Sequence, residues 1–308
     1  MDIQNFIVYT HMPAFSFKDG GTVVQYLLCK ILEEYGKTAR IYPSGNVKIA
    51  NSIFSKFYEN EFPIDDNCIV IYCEGTQGNP LNAPKVVRWM LSELGQNVPK
   101  DWVNTWNKNE LVYYFNSERK FYQQPEKLNT VFKLMNVLYI NPYAKNMNFV
   151  SRNGYCHTFR KALSIHGKIK HIHPKNSFEL TREHSQMQCI SYFNKYKFFI
   201  SYDSLTFLNV LAALCGCISV VYKVKGLSKQ DWIKTTAASE FLNYRGYNNL
   251  FGIAYGLEDV PFAISTLHLA QQQWNNIMNY SKEKTVLPFI NDMLNFENMP
   301  NTIQNNYF

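Results

Sequence analysis

The sequence lacks a C-x-x-C pair, and no Cys/His array in it has zinc-site spacing. Its seven cysteines, an odd number, stand at Cys29, Cys68, Cys73, Cys156, Cys189, Cys215 and Cys217. Scattered and apolar-flanked, they argue against a disulfide scaffold and for reduced, buried thiols in a cytosolic protein. No basic n-region with a long apolar core opens the chain, so the expected location is cytoplasmic, in a bacterium or a virus-infected host. The longest apolar stretch, residues 207–222, is broken by Asn209 and Gly216. It is shorter than the ~20 residues a spanning helix needs. That excludes a membrane span there and leaves peripheral membrane contact open. There is no G-x-G-x-x-G, so a dinucleotide fingerprint is absent, and no D-x-D motif. No internal repeat recurs at a fixed period. Charged residues are only 18% of the chain, against 46% hydrophobic and 16% aromatic, which excludes a disordered chain.

What is present is enough apolar material for two cores. A length of 308 residues exceeds one typical domain and suggests two of ~150 residues. The formal charge of +7 fits ordinary solubility, an anionic ligand such as a sugar nucleotide, or an anionic membrane surface. With no recognition motif or arginine-rich stripe, nucleic acid is not expected as a partner.

Two series of alternating strands and helices imply two parallel sheets covered by helices. In the first series the apolar runs at residues 6–10, 39–42, 68–73, 111–115 and 137–140 read as strands. Residues 22–35, stopped by Gly36, read as a helix. So do residues 82–94, with Asn82 as N-cap, Pro84 near the start and Gly95 as the stop. That reading puts Arg88 and Trp89 on a helix, in a packing role. An Asn-rich segment, residues 141–153, reads as a linker. In the second series strands are expected at 169–173, 198–202, 218–222 and 250–255. Helices are expected at 181–193, 205–214, 228–236 and 258–280, with a last helix at 286–296. The expected domains are 1–145, 146–285 and a C-terminal piece, 286–308, packing back on the first.

Ligands of open parallel sheets bind where strands end at their carboxyl edge. Four segments fall there. In the first, Gly20-Gly21 precedes a helix whose free N–H groups suit an anion; a plain tight turn reads equally well. In the second, Glu74 follows an apolar strand, either as a solvated loop carboxylate or N-cap partner, or as an acceptor-binding residue or general base. In the third, Arg160-Lys161 is either a solvated basic pair or a diphosphate clamp. His166, His171 and His173 follow it without ligand spacing or a carboxylate partner, so no metal is expected. In the fourth, a buried strand delivers Tyr202-Asp203, and Ser204-Leu205-Thr206-Phe207 opens a helix toward the Cys215-Gly216-Cys217 turn. Asp203 is a helix N-cap or a ligand-binding acid.

The run SYDSLTFLNVLAALCGCISVVY resembles the C-terminal donor-binding motif of GT-B glycosyltransferases, where a helix and a small-residue turn follow the acid. Residues 226–232 and 252–259, Arg160-Lys161, residues 78–81 and residues 86–89 are similar to bacterial and viral polysaccharide-type, group 1-like members. The resemblance covers most of the chain and is strongest over residues 155–266. It implies two Rossmann-like domains facing each other across a cleft, the first binding acceptor and the second a nucleotide sugar. It implies sugar transfer from a nucleoside-diphosphate sugar to a hydroxyl of a glycan or lipid-linked acceptor, with no metal and no cofactor. By the same resemblance Asp203 contacts donor-sugar hydroxyls, and Gly20, Gly21, Arg160, Lys161, Tyr202, Thr206 and Phe207 surround the donor and its diphosphate. Leu211 replaces the family's second glutamate, which usually binds the ribose. A sugar-nucleotide epimerase on the same fold and a non-catalytic sugar-binding relic are the competing readings.

Overall fold

The computed structural model describes residues 5–10, 20–44, 55–58, 62–92, 94–95, 97–116, 133–148 and 151–296. The chain divides into two compact units, Met1–Tyr139 with Asn279–Phe308, and Ile140–Met278. Each is α/β and built on a parallel sheet.

In the first unit the strands are β1 (Asn5–Thr10), β2 (Thr38–Pro43), β3 (Cys68–Cys73), β4 (Val86–Met90), β5 (Leu111–Tyr114) and β6 (Lys133–Leu134), in spatial order β2-β1-β3-β4-β5-β6. The central strands are apolar on both faces because both faces are covered. Phe6 and Val8 of β1 join Ile69 and Ile71 of β3 beneath helix α1 (Gly20–Glu34). The alternate residues Ile7, Tyr9, Val70 and Tyr72 pack on the other face with Phe62, Ile64 and Leu81. The chain's closing helix, α9 (Leu287–Leu294), belongs to this unit: Phe289 lies fully buried, 5.0 Å from the Tyr113 ring and 6.1 Å from that of Phe6. Tyr113 Oη donates to Asp292 Oδ2 at 2.8 Å, and Lys133 pairs with the same oxygen at 2.7 Å.

Two first-unit expectations are corrected. Residues 82–94 are not a helix. Val86–Met90 is a strand with all five residues buried, paired with both β3 and β5. The helix-like punctuation belongs to turns: Asn82 has φ 48°, a left-handed turn position that Asn tolerates. The β-branched and aromatic content of Val86-Val87-Arg88-Trp89 fits a pleated, covered surface. Nor are residues 137–140 a strand. The neighbouring Asn136 backbone is instead held by Thr285 and Ser281, its N–H reaching Thr285 Oγ1 at 3.1 Å.

The second unit holds β7 (Asn153–Thr158), β8 (Phe178–Glu179), β9 (Tyr196–Ser201), β10 (Ile218–Val221) and β11 (Ile253–Tyr255), in order β11-β10-β9-β7-β8, all parallel. On one face Ile200, Tyr202, Ile218, Val220 and Ala254 pack with α2 (Ala162–His166) and α7 (Val260–Thr266). On the other face, α3 (Gln186–Lys195) sets Phe193 against Phe199 at 4.9 Å. There α4 (Leu208–Leu214) is tied to β10 by Ser219 Oγ donating to Asn209 Oδ1 at 3.1 Å. α5 (Lys229–Lys234), α6 (Ser239–Arg245) and α8 (Ala270–Ser281) complete the unit's helices.

Here too boundaries move for local reasons. α3 starts at Gln186, not near 181, because Ser185 and Gln188 form a reciprocal capping box. Residues 169–173 are not a strand; their backbone turns around the Tyr202 hydroxyl. The expected 258–280 helix is divided by 3-10 turns at Leu257–Asp259 and Leu267–Leu269. α6, stopped by Gly246 at φ 66°, is a helix the periodicity did not reveal. The last helix is entered through a π-turn at Lys282–Val286. No helix among the described residues is long and apolar enough to cross a membrane.

Candidate functional site

In the second unit the chain runs from β7 outward to β8, then returns to place β9 on the other side of β7. Strand order therefore reverses between β7 and β9, and in open parallel sheets such a reversal opens a crevice at the carboxyl ends. Thr158 and Ser201 are register partners at these ends. Phe159-Arg160-Lys161 leaves β7 and Tyr202-Asp203-Ser204 leaves β9, so the reversal brings the basic pair and the acid to neighbouring strand ends.

Arg160 is strained and unpaired. Its φ of 36° lies in the left-handed region, which costs a side-chain-bearing residue of order 1 kcal/mol or more. Its Nε is buried with no hydrogen-bond partner, which costs ~1–3 kcal/mol in the absence of a ligand. Lys161 is exposed beside it. Asp203 is only 4% exposed. Its Oδ1 accepts from the Leu205 N–H at 3.2 Å, and its carbonyl accepts from Ser201 Oγ at 2.7 Å. That is an Asx turn, not a helix cap. α4 begins later, with Phe207 at its N-cap position. Thr206 is half-buried, and its Oγ1 accepts weakly from the Leu208 N–H at 3.4 Å. Phe207 packs edge-on against Trp274 at 5.8 Å. Leu211 is 1% exposed within α4, a core position.

The strand-end loops are braced by two aromatic residues. Trp232 Nε1 donates to the Ser204 carbonyl at 2.9 Å, and its ring stacks on Tyr255 at 5.0 Å. Tyr255 Oη accepts from the Val224 N–H and donates to the Leu227 carbonyl, both at 3.1 Å. Lys229 pairs with Asp259 at 2.6 Å, and Lys223 with Glu258.

Tyr202, fully buried, is enclosed by histidines. Its hydroxyl lies 2.8 Å from His173 Nδ1, and His166 Nε2 donates to its carbonyl at 2.9 Å. His173 stacks on His157 at 3.7 Å, with His171 5.0 Å beyond. Burial, then the neighbouring imidazoles, push His157 down to about 4 and His173 below the usual histidine range. These are neutral rings. Among the described residues, no group of His, Cys, Asp or Glu is arranged to hold a metal.

The first unit has a reversal of its own, between β1 and β3. Gly20 and Gly21 are the first residues of α1, inside the helix and not in a loop ahead of it; Phe17, Lys18 and Asp19 lie outside the described residues. Glu74, 7% exposed, accepts from the Leu91 N–H at 2.9 Å and from Ser92 Oγ. Both oxygens are thus committed to fastening the end of β3 to the segment after β4. The loop between them is held by Arg88, whose Nη1 donates to the Thr76 carbonyl at 2.8 Å and whose Nη2 donates to that of Gly78. Sequence reading missed Arg88, placing it on a helix; one arginine within the otherwise apolar run VVRWM was the available signal.

All seven cysteines are free thiols. Burial raises Cys68 and Cys215 to about 12 and Cys73 to about 11, so these three are not poised as thiolate nucleophiles. Lys161, Lys168, Lys170 and Lys175, all following β7, are exposed and form no ion pair among the described residues.

No family model matches this sequence and no curated protein matches it, so the group 1-like resemblance finds no confirmation there. Solved structures do resemble it. One is an alpha-glucosyltransferase in complex with UDP and a 13-mer DNA containing an HMU base, at 9% identity and TM-score 0.44, covering 95% of this chain and 94% of that one. Another is T4 phage BGT in complex with its UDP-glucose substrate, at 9% identity and TM-score 0.42, covering 95% and 97%. A third is an alpha-glucosyltransferase with UDP-glucose and DNA containing an abasic site, at 10% identity and TM-score 0.40, covering 95% and 94%. Two of the three hold DNA, which overturns the exclusion of nucleic acid drawn from the sequence. That exclusion looked for base-reading motifs, whereas phosphate backbones are bound by unpaired lysines without any motif.

Proposed function

We propose that this chain is a nucleotide-sugar-dependent glycosyltransferase whose donor binds at the carboxyl edge of the second unit's sheet. The observation that supports this most strongly is Arg160, strained in its backbone and unpaired at a buried Nε, one strand away from the buried acid Asp203. Strain of this kind gathers at ligand sites, and a diphosphate supplies the missing acceptor for the guanidinium. Lys161 adds a second positive charge. Asp203 keeps acceptor capacity beyond its single bond to Leu205 and receives donor-sugar hydroxyls. Thr206 and Phe207 border the diphosphate.

In the reaction the acceptor hydroxyl oxygen bonds to the anomeric carbon while the bond from that carbon to the diphosphate oxygen breaks. The electron pair leaves with the nucleoside diphosphate, and the hydroxyl proton passes to solvent. Arg160 and Lys161 stabilise the charge that develops on the leaving group, the task a metal performs in other transferases. Glu74 contributes by holding the first unit's loop.

A thermal-shift panel of UDP, GDP, CMP and dTDP sugars tests the donor. A ligand at one hundred times its Kd stabilises by ~2.7 kcal/mol, so one nucleotide class raises the melting temperature and the others do not. The selected donor is then assayed in excess EDTA against glycans, lipid-linked glycans and hydroxyl-bearing DNA. DNA is included because the unpaired lysines of residues 161–175 suit a phosphate backbone. Transfer that persists in EDTA supports the reading. Abolition by chelation with rescue by manganese contradicts it. Binding without turnover on any acceptor identifies a sugar-binding relic, and solvent isotope exchange without an acceptor identifies an epimerase.

A further inference from the structure

Tyr202 separates β9 from Asp203, and its hydroxyl is held by one short segment after β7. It accepts the N–H of Ile172 at 2.6 Å and that of His173 at 3.3 Å. A phenol oxygen has two acceptor positions, so both are filled. Its own proton must then be given to His173 Nδ1, 2.8 Å away, which requires that nitrogen to be unprotonated. The other side of Tyr202 is fixed by the bond from His166 to its carbonyl and by its own N–H reaching the Thr158 carbonyl at 3.0 Å. The Tyr202 ring stacks on Phe159 at 4.8 Å. Phe159 directly precedes Arg160, so one tyrosine touches the backbone that aims both the candidate acid and the candidate cation.

We propose that His173, in its neutral Nδ1-acceptor form, is a positioning residue that holds Asp203 and Arg160 in register through Tyr202. Protonation of the ring releases that hold. The inference rests on the donor site proposed above and adds its regulation. A proton on Nδ1 would turn a donor toward an oxygen whose lone pairs are already taken. The groups facing His173 decide the direction. His157 of β7 lies against one face, and His171 stands on its own segment. Tyr202, itself backed by Tyr222 at 5.0 Å and by His166, follows β9. Glu179 of β8 is the acid that acts on His173, and it opposes the others. His157 is tied off by Ser177 Oγ at 2.8 Å. Burial, and after it the His171 imidazole, outweigh the single acid, so the site prefers the neutral ring. The hold is complete above the unfolded histidine pKa near ~6.5 and weakens as pH falls from there toward the lower folded-state value.

Hydrogen-exchange protection at the amides of Ile172 and Leu205 reads the hold without any ligand, with Val220 in the middle of β10 as a reference. In the wild type, their protection falls severalfold relative to Val220 between about pH 7 and pH 5, as the ring takes up its proton. His173→Asn, whose side-chain oxygen stands near the place of Nδ1 and does not titrate, keeps the protection at both pH values. His173→Ala lacks it at both. Affinity for the nucleotide sugar that the donor panel selects follows the same pattern. Equal protection in His173→Ala and wild type at pH 7, or wild-type protection unchanged at pH 5, overturns the proposal. If no nucleotide sugar of the donor panel binds at any pH while protection behaves as stated, the donor reading fails and the histidine hold stands.

Discussion

Arg88 and Glu110 form an ion pair with both side chains buried: Nε lies 2.6 Å from Oε2, and the side chains are 0% and 5% exposed. The guanidinium sits between the rings of Tyr72 and Trp106, 4.9 and 4.8 Å from their centroids, while its other nitrogens hold the Thr76 and Gly78 carbonyls. All three nitrogens of the planar fork donate, in directions a lysine cannot reproduce.

Removing one member of a buried pair leaves the other charge uncompensated and costs ~3–5 kcal/mol. Arg88→Met should therefore destabilise the first unit by about that much in urea titration, and Arg88→Lys should recover little of the loss. Replacing Arg88 and Glu110 together by apolar residues should cost less than the Arg88 change alone.

Phe289 tests the docking of the closing helix. It is fully buried between Phe6 and Tyr113, and truncating a buried phenylalanine costs ~3–5 kcal/mol. Phe289→Ala should lower the melting temperature and expose residues 287–294 to proteolysis. A wild-type melting curve would contradict α9 as part of the first unit's core.

Much of the fold was legible because fully covered parallel strands read as unbroken apolar runs. Cys68–Cys73, Tyr196–Ser201 and Ile218–Val221 all lie within or close to their expected bounds. Val86–Met90 was not, because Asn82, Pro84 and Gly95 punctuate a turn-strand-turn as they would a helix. β6 and β8, two residues each, are too short to carry a period. In the candidate site, Asp203 was visible because it follows the apolar run of β9, and Arg160-Lys161 because the two cations are adjacent; the strand before them, β7 (Asn153–Thr158), was not expected. Arg88, Trp232 and His173 act through partners 10 to 29 positions away, a relation no local pattern encodes.

His157 gives the stability a pH dependence. Its folded pKa of about 4 lies below the ordinary histidine value, so the unfolded chain binds more protons between the two. Stability should be flat above about pH 6.5 and decline as pH falls toward 4. His157→Phe should flatten that decline in a series of melts. A wild-type melting temperature that rises on acidification through this window would contradict the buried neutral stack.

Arg160→Gly separates strain from function. Glycine adopts φ 36° freely but loses ~0.5–1 kcal/mol through chain entropy, which offsets the relief of strain. Stability should stay within ~1 kcal/mol of wild type, while affinity for the nucleotide sugar that the donor panel selects falls about tenfold or more, the loss of a charge-assisted bond. A large fall in stability with unchanged affinity would make Arg160 a structural residue.

The most direct test of the donor site is steady-state turnover of Asp203→Asn beside its melting curve. Asparagine keeps the Asx turn with the Leu205 N–H, because it offers the same acceptor oxygen. It loses the charge that strengthens bonds from sugar hydroxyls, worth ~1.5–3 kcal/mol. The account predicts kcat/KM lower by about tenfold or more with an unchanged melting temperature. Full turnover in Asp203→Asn would reduce this acid to a turn former and contradict a donor site at the carboxyl edge of the second sheet.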